Sequence, residues 1–171
     1  MDNSIEVVEE EPLWDSVDLT TISAKAFDAI IAGLPLTGGP YELSILACND
    51  ARIANLNGKF RAKPTPTNVL SWPGFDLAAE KDGGVPDMPP SAGAGEPFVN
   101  IGDIAIAYET CLQEARDAAI EPQHHITHLL IHGILHLLGY DHETDADADV
   151  METLEIKLLE AMGIGNPYQN V

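Results

Sequence analysis

The sequence predicts an α+β protein built on a single mixed sheet of about four strands, covered by about five to six helices. Two observations predict this class. Apolar residues alternate over several short segments, as in strands, and recur at every third or fourth position over longer ones, as in amphipathic helices. These patterns follow one another in the order β, α, β, α, β, β, α, α, α, which favours one sheet packed against helices. Since 171 residues are enough for one core, residues 1–171 are expected to form a single domain.

The first part of the chain is expected to supply three strands and two helices. The segment YELSILAC alternates at first and then becomes wholly apolar, as a buried strand does. Before it the sequence GGP breaks the chain, and after it Asp50 is a suitable N-terminal cap for a helix. The expected strands therefore lie at 4–8, 41–48 and 69–72, and the expected helices at 19–34 and 50–56.

The second part of the chain begins with residues 74–97, which are rich in Gly, Pro and Ala. Such a stretch has little to bury, so a flexible surface loop within the domain is expected there. Pro122 suits the first turn of a later helix. Gly139 suits the end of that helix, because glycine readily adopts the left-handed conformation. The remaining expected elements are a strand at 101–108 and helices at 109–119, 122–139 and 145–162.

The charge of the chain is strongly negative, with a net value of −20. An acidic surface repels phosphates, so this sum alone would argue against a nucleic-acid partner. The basic residues are nevertheless concentrated: Arg52, Lys59, Arg61 and Lys63 lie in a stretch, 51–75, that contains no Asp or Glu. This segment is either a locally positive binding surface or the solvated end of a helix with its following loop.

The N-terminus and the hydropathy pattern bear on the location of the protein. The opening residues, MDNSIEVVEEEPLWD, are acidic and lack the basic and apolar regions of a secretory signal. No apolar stretch reaches the ~18 to 20 residues that a membrane span needs. A cytoplasmic protein without a membrane partner is therefore expected. Cys48 and Cys111 stand in apolar sequence and are expected to be buried, as free cysteines commonly are.

Histidines are concentrated in one short stretch that contains the run HGILHLLGYDH. His132 and His136 are four positions apart, so on a helix their side chains lie on one face and can bind one ion. Gly139 then allows the chain to turn back and bring His142 to the same ion. Three imidazoles with one position open for water are typical of catalytic zinc sites. One Zn²⁺ per chain is therefore expected.

Four neighbouring residues are expected to have other roles. His128, one helical turn before His132, is expected to orient a ligand or to pack rather than to bind the ion. His124 and His125, at the start of the helix, are expected to be exposed or to cap it. Asp141 either orients a ligand imidazole or, as carboxylates in turns commonly do, stabilises the turn.

Three chemical classes fit such a site. The first class is a metallopeptidase, because the histidine spacing matches the motif H-E-x-x-H-x-x-G-x-x-H. Gly133 replaces the glutamate that serves as general base in that motif. Loss of general-base catalysis typically lowers the rate ~10² to 10⁴-fold. Metal-assisted phosphodiester hydrolysis instead needs a cation near the metal. Arg61 in KFRAK is the best candidate, since a guanidinium can hold two phosphate oxygens. The third class is a non-catalytic assembly factor whose metal only stabilises the fold.

Three stretches of the chain resemble the YbeY family of bacterial endoribonucleases, also called rRNA maturation factors. These stretches are HGILHLLGYDH, NLNGKFRAKPTPTNVLSWP and IGDIAIA. The resemblance implies a zincin-like metal-binding helix and a single-strand-specific metallo-endoribonuclease. It also implies action in 16S rRNA 3′-end maturation and in late-stage 70S ribosome quality control. The implied partners are single-stranded rRNA precursor and the ribosome or small-subunit assembly factors.

The same resemblance implies the roles of individual residues. His132, His136 and His142 correspond to the zinc ligands of the family, and Arg61 corresponds to its functional arginine. Arg61 is accordingly expected both to act in catalysis and to bind the substrate. The residues expected to bind the RNA are Arg61, Lys59 and Lys63.

Two questions stay open at the level of the sequence. The first concerns departures from the family pattern, which commonly has Tyr, Gly and Phe where this chain has Phe60, Ala62 and Trp72. The residue change at Ala62 is expected to affect the backbone beside the arginine. The second concerns the general base, for which metal-bound hydroxide, the RNA 2′-hydroxyl and a carboxylate such as Asp141 are alternatives.

Overall fold

A computed structural model of the protein describes residues 2–169 and contains four strands and five α-helices in that range. These elements confirm the α+β class expected from the sequence. None of the helices in this range has the length and apolarity of a membrane span. In chain order the elements are β1 (Ser4–Glu9), α1 (Leu19–Gly33), β2 (Tyr41–Cys48), α2 (Asp50–Arg61), β3 (Val69–Pro73), β4 (Val99–Ala107), α3 (Tyr108–Asp117), α4 (Pro122–Leu137) and α5 (Asp145–Ala161). A short 3-10 helix, Pro12–Ser16, follows β1.

The four strands form one mixed sheet in the order β1-β2-β4-β3. Strands β1, β2 and β4 run parallel, whereas β3 pairs antiparallel with β4. In this pairing Leu70 lies opposite Ala105, and Ser71 lies opposite Ile104. The single mixed sheet is as predicted, and its antiparallel edge strand contacts α4 through a hydrogen bond from Ser71 Oγ to the Gly133 carbonyl.

Alternate residues of the central strands β2 and β4 belong to two different clusters. Ile45 and Ile104 join the main core, to which α4 contributes Leu130 and Ile134. Neighbouring strand residues form a smaller cluster with Ile53 of α2. Burying one such side chain contributes ~1.5–3 kcal/mol. The sheet is therefore covered on both faces, and the many buried residues of α4 hold this helix firmly against one of them.

Both cysteines are buried, as expected from the sequence. Cys48 ends β2, and Cys111 lies in α3. Burial raises the pKa of the Cys48 thiol to about 12 and raises that of the Cys111 thiol as well. Since the thiolate is the form that binds metals and attacks electrophiles, both residues act as small apolar side chains at neutral pH.

Helix α2 is longer than the sequence predicts. It ends at Arg61, whereas the prediction ended it at residue 56. Gly58 explains the error, because glycine is a weak helix former and suggests an early end. In the structure a Cβ added to Gly58 would lie 3.1 Å from Cβ of Pro64. The glycine therefore lets the following loop pack closely against the helix, and it does not end the helix.

The N-terminal cap of α2 also differs from the prediction. Asn49 and not Asp50 caps the helix, since the Asn49 side chain accepts the N–H of Arg52 at 2.8 Å. The Asp50 carboxylate instead accepts the N–H of Thr110 at 3.0 Å. Asp50 thus joins the start of α2 to α3, a contact between segments that are distant in sequence.

The Gly/Pro-rich segment 74–98 contains neither helix nor strand. It is nevertheless attached to the rest of the protein. Leu77 is 6% exposed, and its carbonyl accepts the N–H of Asp87 at 2.9 Å. The N–H of Gly83 donates to Oδ1 of Asp147 at 2.8 Å. The first hydrogen bond lies within the segment and the second connects it to the start of α5, while its flexibility stays a prediction.

Candidate metal centre and adjoining groove

Three histidines converge at the C-terminal end of α4. His132 and His136 lie one turn apart on this helix, and His142 follows it. The chain turns at Gly139, whose φ of +99° is the left-handed conformation that the sequence predicts there. Each histidine offers one ring nitrogen, and these three atoms lie within 4.8 Å of one another. The structure thus brings together the three side chains that the sequence singles out as metal ligands.

Hydrogen bonds of His132 and His136 determine which ring nitrogens carry protons. His136 donates from Nδ1 to the Tyr140 carbonyl at 2.8 Å, and His132 donates from Nδ1 to the Glu155 carboxylate at 2.6 Å. In neutral rings both Nε2 atoms then carry lone pairs, yet these atoms lie 3.0 Å apart. Two lone pairs at this distance repel each other unless a proton or a metal ion lies between them. The chemistry of these donor atoms therefore fits a bound metal ion.

His136 is held in the unprotonated form that a metal requires. The pKa of His136 falls to about 4, mainly because the imidazole is buried and secondly because His132 is close to it. The contact with the Tyr140 carbonyl opposes this shift without outweighing it. At neutral pH no proton therefore competes with a metal ion for this imidazole.

Glu155 of α5 belongs to the site although the sequence prediction did not include it. Its side chain is fully buried, and the hydroxyl of Tyr168 donates to its second carboxylate oxygen, Oε2. Burial alone would raise the pKa of Glu155, but the nearby His128 imidazole and the hydrogen bonds from His132 and Tyr168 outweigh burial and lower the pKa to about 2. Glu155 is thus a buried anion that orients the His132 ring, as carboxylates beside metal-binding histidines do.

The sequence does contain a weak signal for Glu155. This residue lies on the face of α5 that also presents the buried Met151, Leu158 and Leu159. A carboxylate within an apolar stripe at helical spacing has to find a buried partner, because an unpaired buried charge is strongly destabilising. The pattern therefore indicates a partner for Glu155, although it does not show that the partner is His132.

The remaining histidines lie along α4, N-terminal to the metal centre. His128 Nε2 is 3.6 Å from Oε1 of Glu155, so His128 lies beside the ligand cluster rather than within it. The expectation for His125 was wrong: it is largely buried and pairs with Glu114 at 2.9 Å, because α3 packs against this part of α4. His124 is the more exposed of the two.

A groove of about 880 Å³ extends from the three histidines along β3. Arg61 and Lys63 line the same groove as the histidines. Arg61 is restrained there, because its Nη2 donates to the Ser71 carbonyl at 2.8 Å. Lys59 does not line the groove, and its ammonium lies 5.6 Å from the centre of the Phe60 ring. The structure thus brings two of the three expected cations into the groove and leaves Lys59 beside it.

The groove is also lined by carboxylates. Asp76, Asp141 and Glu143 line it, and the last two flank His142 in the sequence. Oδ1 of Asp141 accepts the N–H of Glu143 at 3.2 Å, which is the turn-stabilising contact that the sequence allows for this residue. Charges of both signs therefore line the groove, and among the described residues its Lys and Arg side chains are Arg61 and Lys63.

Gly133 lies where α4 meets the sheet. A Cβ added to it would lie 3.2 Å from Cδ1 of Ile104 and 3.3 Å from Oγ of Ser71. Both distances are shorter than about nine in ten Cβ contacts in proteins. A glutamate at this position would therefore point into packed protein. The general base of a metallopeptidase does not fit this contact between helix and sheet.

These features define a class of protein: an α+β domain with a candidate three-histidine metal centre on a helix, beside a groove that holds a restrained arginine. The model of the family Endoribonuclease YbeY matches residues 7–163. The chain belongs to the YbeY family of endoribonucleases. This membership confirms the resemblance noted in the sequence and the expected enzyme class, a hydrolytic endoribonuclease.

Individual relatives are similar over nearly their whole length. A protein of Dinoroseobacter shibae named Endoribonuclease YbeY is 50% identical over 97% of this chain and 91% of the relative. A protein of the same name from a Jannaschia species is 48% identical over 96% of this chain and 99% of its own. The solution structure of TM1509 from Thermotoga maritima covers 96% of this chain and 99% of its own with a TM-score of 0.54. At 18% identity, that structure supports the fold alone.

Proposed function

We propose that the chain is a zinc-dependent endoribonuclease of single-stranded RNA. We propose further that it acts in the cytoplasm, in 16S rRNA 3′-end maturation and in late-stage 70S ribosome quality control. One observation carries the proposal: the lone pairs of His132 and His136 converge near His142, in a groove that Arg61 also lines. Membership in the YbeY family supports the same activity.

His132, His136 and His142 would hold one zinc ion per chain. Imidazole nitrogens are suitable ligands for zinc, as they are for copper, iron and nickel. When bound, zinc supplies Lewis acidity towards a phosphoryl oxygen or a water molecule. The chain keeps its ligands ready for the ion, because Glu155 orients His132 and the Tyr140 carbonyl orients His136.

We assign to Arg61 the binding of the scissile phosphate and the stabilisation of the charge that develops on it. A guanidinium has five N–H donors, and the contact with the Ser71 carbonyl uses one of them. The others are left for phosphate oxygens. Because this contact restrains the side chain before RNA binds, less conformational entropy is lost on binding. A cation already in place also stabilises the transition state without reorganisation.

Lys59 and Lys63 are assigned to the RNA backbone. Lys63 lines the same groove as Arg61. We therefore expect the Lys63 ammonium to contact a phosphate directly. Lys59 lies against Phe60 and would act through longer-range attraction. RNA binding is expected to weaken steeply with salt, and a Lys59→Ala/Arg61→Ala/Lys63→Ala variant should bind more weakly with a shallower salt dependence. Unchanged binding by this variant would contradict the assignment.

The partly buried positions of His132 and His136 support a preference for single strands. The side chain of His132 is 20% exposed, so a phosphate has to enter the groove to reach it. A single strand can bend its backbone into such a groove, whereas an A-form duplex is rigid and is read mainly by its outer shape. We therefore expect duplex RNA to be cleaved much more slowly than a single strand of the same sequence.

Product analysis identifies the attacking group. Attack by the neighbouring 2′-hydroxyl leaves a 2′,3′-cyclic phosphate, whereas attack by water leaves a plain 5′-phosphate on the downstream product. A carboxylate base at Asp141 is tested by Asp141→Asn, which keeps an oxygen able to accept the N–H of Glu143. Unchanged cleavage by this variant would exclude Asp141 as the base.

The activity itself is tested by measuring bound metal and cleavage with purified protein. The substrates are single-stranded RNA, duplex RNA and an unfolded protein, and the variants are His136→Ala and Arg61→Ala. Arg52→Ala is the matched control, because Arg52 lies on the same helix as Arg61 and forms an exposed pair with Glu10 at 3.2 Å. We expect RNA cleavage by wild type and Arg52→Ala alone.

Other outcomes of this experiment favour the other classes. Cleavage of the protein substrate with intact RNA would favour a metallopeptidase, against which the packing around Gly133 argues. Metal binding with no cleavage, together with loss of the fold on metal removal, would favour an assembly factor.

The proposed role in ribosome maturation is tested in cells. Depletion of the protein is expected to leave 16S rRNA precursors with extended 3′ ends, and the wild-type chain should restore maturation. Cosedimentation with ribosomal subunits tests the proposed partners, the ribosome or small-subunit assembly factors. Full restoration by His136→Ala would show that the metal centre is not needed for this role.

A further inference from the structure

We propose that a second cavity, next to the metal centre, binds one uncharged base of the RNA beside the cleaved bond. This inference rests on the proposed endoribonuclease function and adds a substrate contact to it. The cavity has a volume of about 560 Å³ and is lined by residues of α3, α4 and the C-terminal segment. Sites that bind small organic groups typically have volumes of about 300–1,000 Å³. We call it the α3–α4 cavity.

The α3–α4 cavity adjoins the groove that holds Arg61. Asn68 and His132 line both spaces. A phosphate at the three histidines therefore lies where the two spaces meet. Because the RNA backbone is continuous, the nucleosides on the two sides of this phosphate extend away from it in different directions, which allows one to occupy the groove and the other to reach the α3–α4 cavity.

The charge of the cavity wall excludes phosphate. Glu114 and Asp117 contribute carboxylates, and none of the described residues that line it is Lys or Arg. Glu114 is restrained, since Oε1 accepts from Asn68 Nδ2 at 3.0 Å and lies 2.9 Å from Nε2 of His125. A carboxylate offers about four lone-pair positions, so Glu114 can accept further hydrogen bonds. The N–H groups of a base match this wall, whereas a phosphate does not.

The remaining wall suits a flat ring. The imidazole of His128 and the phenol of Tyr168 meet edge to face, with their centres 5.4 Å apart. Ile120, Leu129 and Pro167 add apolar surface. Bases of single-stranded RNA are commonly held in this way, against aromatic rings and with hydrogen bonds to their edges.

Glu114 gives the α3–α4 cavity a preference among the bases. Adenine, cytosine and guanine each carry an exocyclic amino group that donates hydrogen bonds, whereas uracil has carbonyl oxygens on both sides of its N–H. A carboxylate accepts from an amino group and repels a carbonyl oxygen. One well-matched contact of this kind changes discrimination by about tenfold or more. We therefore expect an amino-bearing base to be preferred over uracil at the nucleotide that enters the cavity.

RNA oligonucleotides that differ only in the two bases flanking the cleaved bond test this preference. With zinc-loaded wild type, one of the two positions should favour amino-bearing bases over uracil by about tenfold in kcat/KM. Glu114→Gln, whose amide donates as well as accepts, should abolish the preference. Glu121→Gln, at an exposed position beside His124, should keep it. A wild type without preference, or a preference that Glu114→Gln leaves unchanged, overturns the proposal.

A second variant tests whether a base occupies the cavity. Ala118 is exposed and lines the cavity at the end of α3, so Ala118→Trp should fill it without disturbing the core. The control is Ala161→Trp, which alters an exposed position on α5. Wild type and this control should cleave intact RNA more efficiently than RNA that has an abasic nucleotide at the preferred position. Ala118→Trp should cleave both equally.

An abasic effect of equal size in wild type and Ala118→Trp overturns the proposal. This result is distinguishable from a failure of the proposed function, because it is measured with a wild type that cleaves intact RNA. A wild type that cleaves no RNA at all contradicts the proposed function itself.

Discussion

The hydroxyl of Tyr168 donates a hydrogen bond to the buried carboxylate of Glu155. The same carboxylate accepts a hydrogen bond from the metal-centre residue His132. Burial, followed by the effect of Glu155, raises the pKa of Tyr168, so the phenol keeps its proton and stays a donor. The C-terminal segment is therefore connected to the metal centre through two successive hydrogen bonds.

We expect Tyr168→Phe to weaken zinc binding by roughly tenfold, the lower end of the 10–100-fold range for groups that hold metal ligands. The change removes one partner of the buried Glu155 anion and keeps the aromatic ring. Competition with a zinc-binding dye measures the affinity. Tyr108→Phe is the matched control, because Tyr108 packs edge-on against Trp14. Equal affinities of both variants and wild type would contradict the prediction.

Ala62 predicts a stabilising substitution. It follows α2 with φ 56° and ψ 28°, a left-handed conformation that costs alanine about 1–2 kcal/mol and glycine much less. Ala62→Gly is therefore expected to raise the free energy of unfolding by about 1 kcal/mol and Tm by about 2–4 °C. Urea and thermal unfolding measure the two quantities.

The control for this change lies within α2, the helix that Ala62 follows. Ala51 is exposed in the first turn of α2, where glycine is less favourable than alanine by about 0.5–1 kcal/mol. Ala51→Gly should therefore lower the free energy of unfolding. If both glycine variants lowered the free energy of unfolding, the left-handed conformation of Ala62 would be contradicted.

Gly133→Glu places the missing glutamate of the peptidase motif into this chain. We expect it to lower the free energy of unfolding by about 3 kcal/mol or more, because the carboxylate would be buried against Ile104 and Ser71 without a partner. Gly133→Ala should be milder, since only a methyl group has to be accommodated. Urea unfolding and a protease assay check both parts. A stable Gly133→Glu protein that cleaves peptides would refute this account of the helix–sheet contact.

His136 makes the stability of the metal-free protein depend on pH. Burial lowers its pKa from an ordinary 6.5 to about 4 in the folded chain. Between these values the unfolded chain binds more protons, so the free energy of unfolding falls as pH falls. The stabilisation is complete above pH 6.5 and decreases by about 3 kcal/mol towards pH 4.

Urea unfolding in the presence of a chelator, repeated across this pH range, measures the effect. His136→Gln should flatten the profile, while His124→Gln, which changes a more exposed histidine, should leave it as in wild type. A wild-type profile that is already flat between pH 4 and 6.5 would rule out the buried neutral imidazole.

Features that depend on local sequence could be predicted. Periodicity identified the four strands and the helices, and the pairing of His132 with His136 lies within one turn of one helix. Gly139 and His142 follow within the next six residues. All the information needed to bring these ligands together is therefore contained in α4 and the turn after it, and the three histidines meet as expected.

Features that depend on contacts between distant segments could not be predicted. Glu155 lies 23 positions from His132, and their partnership depends on how α5 packs against α4. The cap of α2 has the same cause: Asn49 and Asp50 are both suitable caps, and the engagement of Asp50 by Thr110, 60 positions away, leaves the role to Asn49. Local propensity does not contain such information.

The contact between Arg61 and Ser71 also affects how molecules of this protein meet one another. Ser71 lies opposite Ile104 in the antiparallel pair, and its carbonyl is directed to the open side of the sheet, where Arg61 binds it. An open strand edge can pair with a strand of another molecule, and a charged side chain lying across it opposes such pairing. Arg61→Ala is thus expected to self-associate more than wild type or Arg52→Ala in size-exclusion chromatography. The arginine assigned to the RNA phosphate would then also keep the molecules apart.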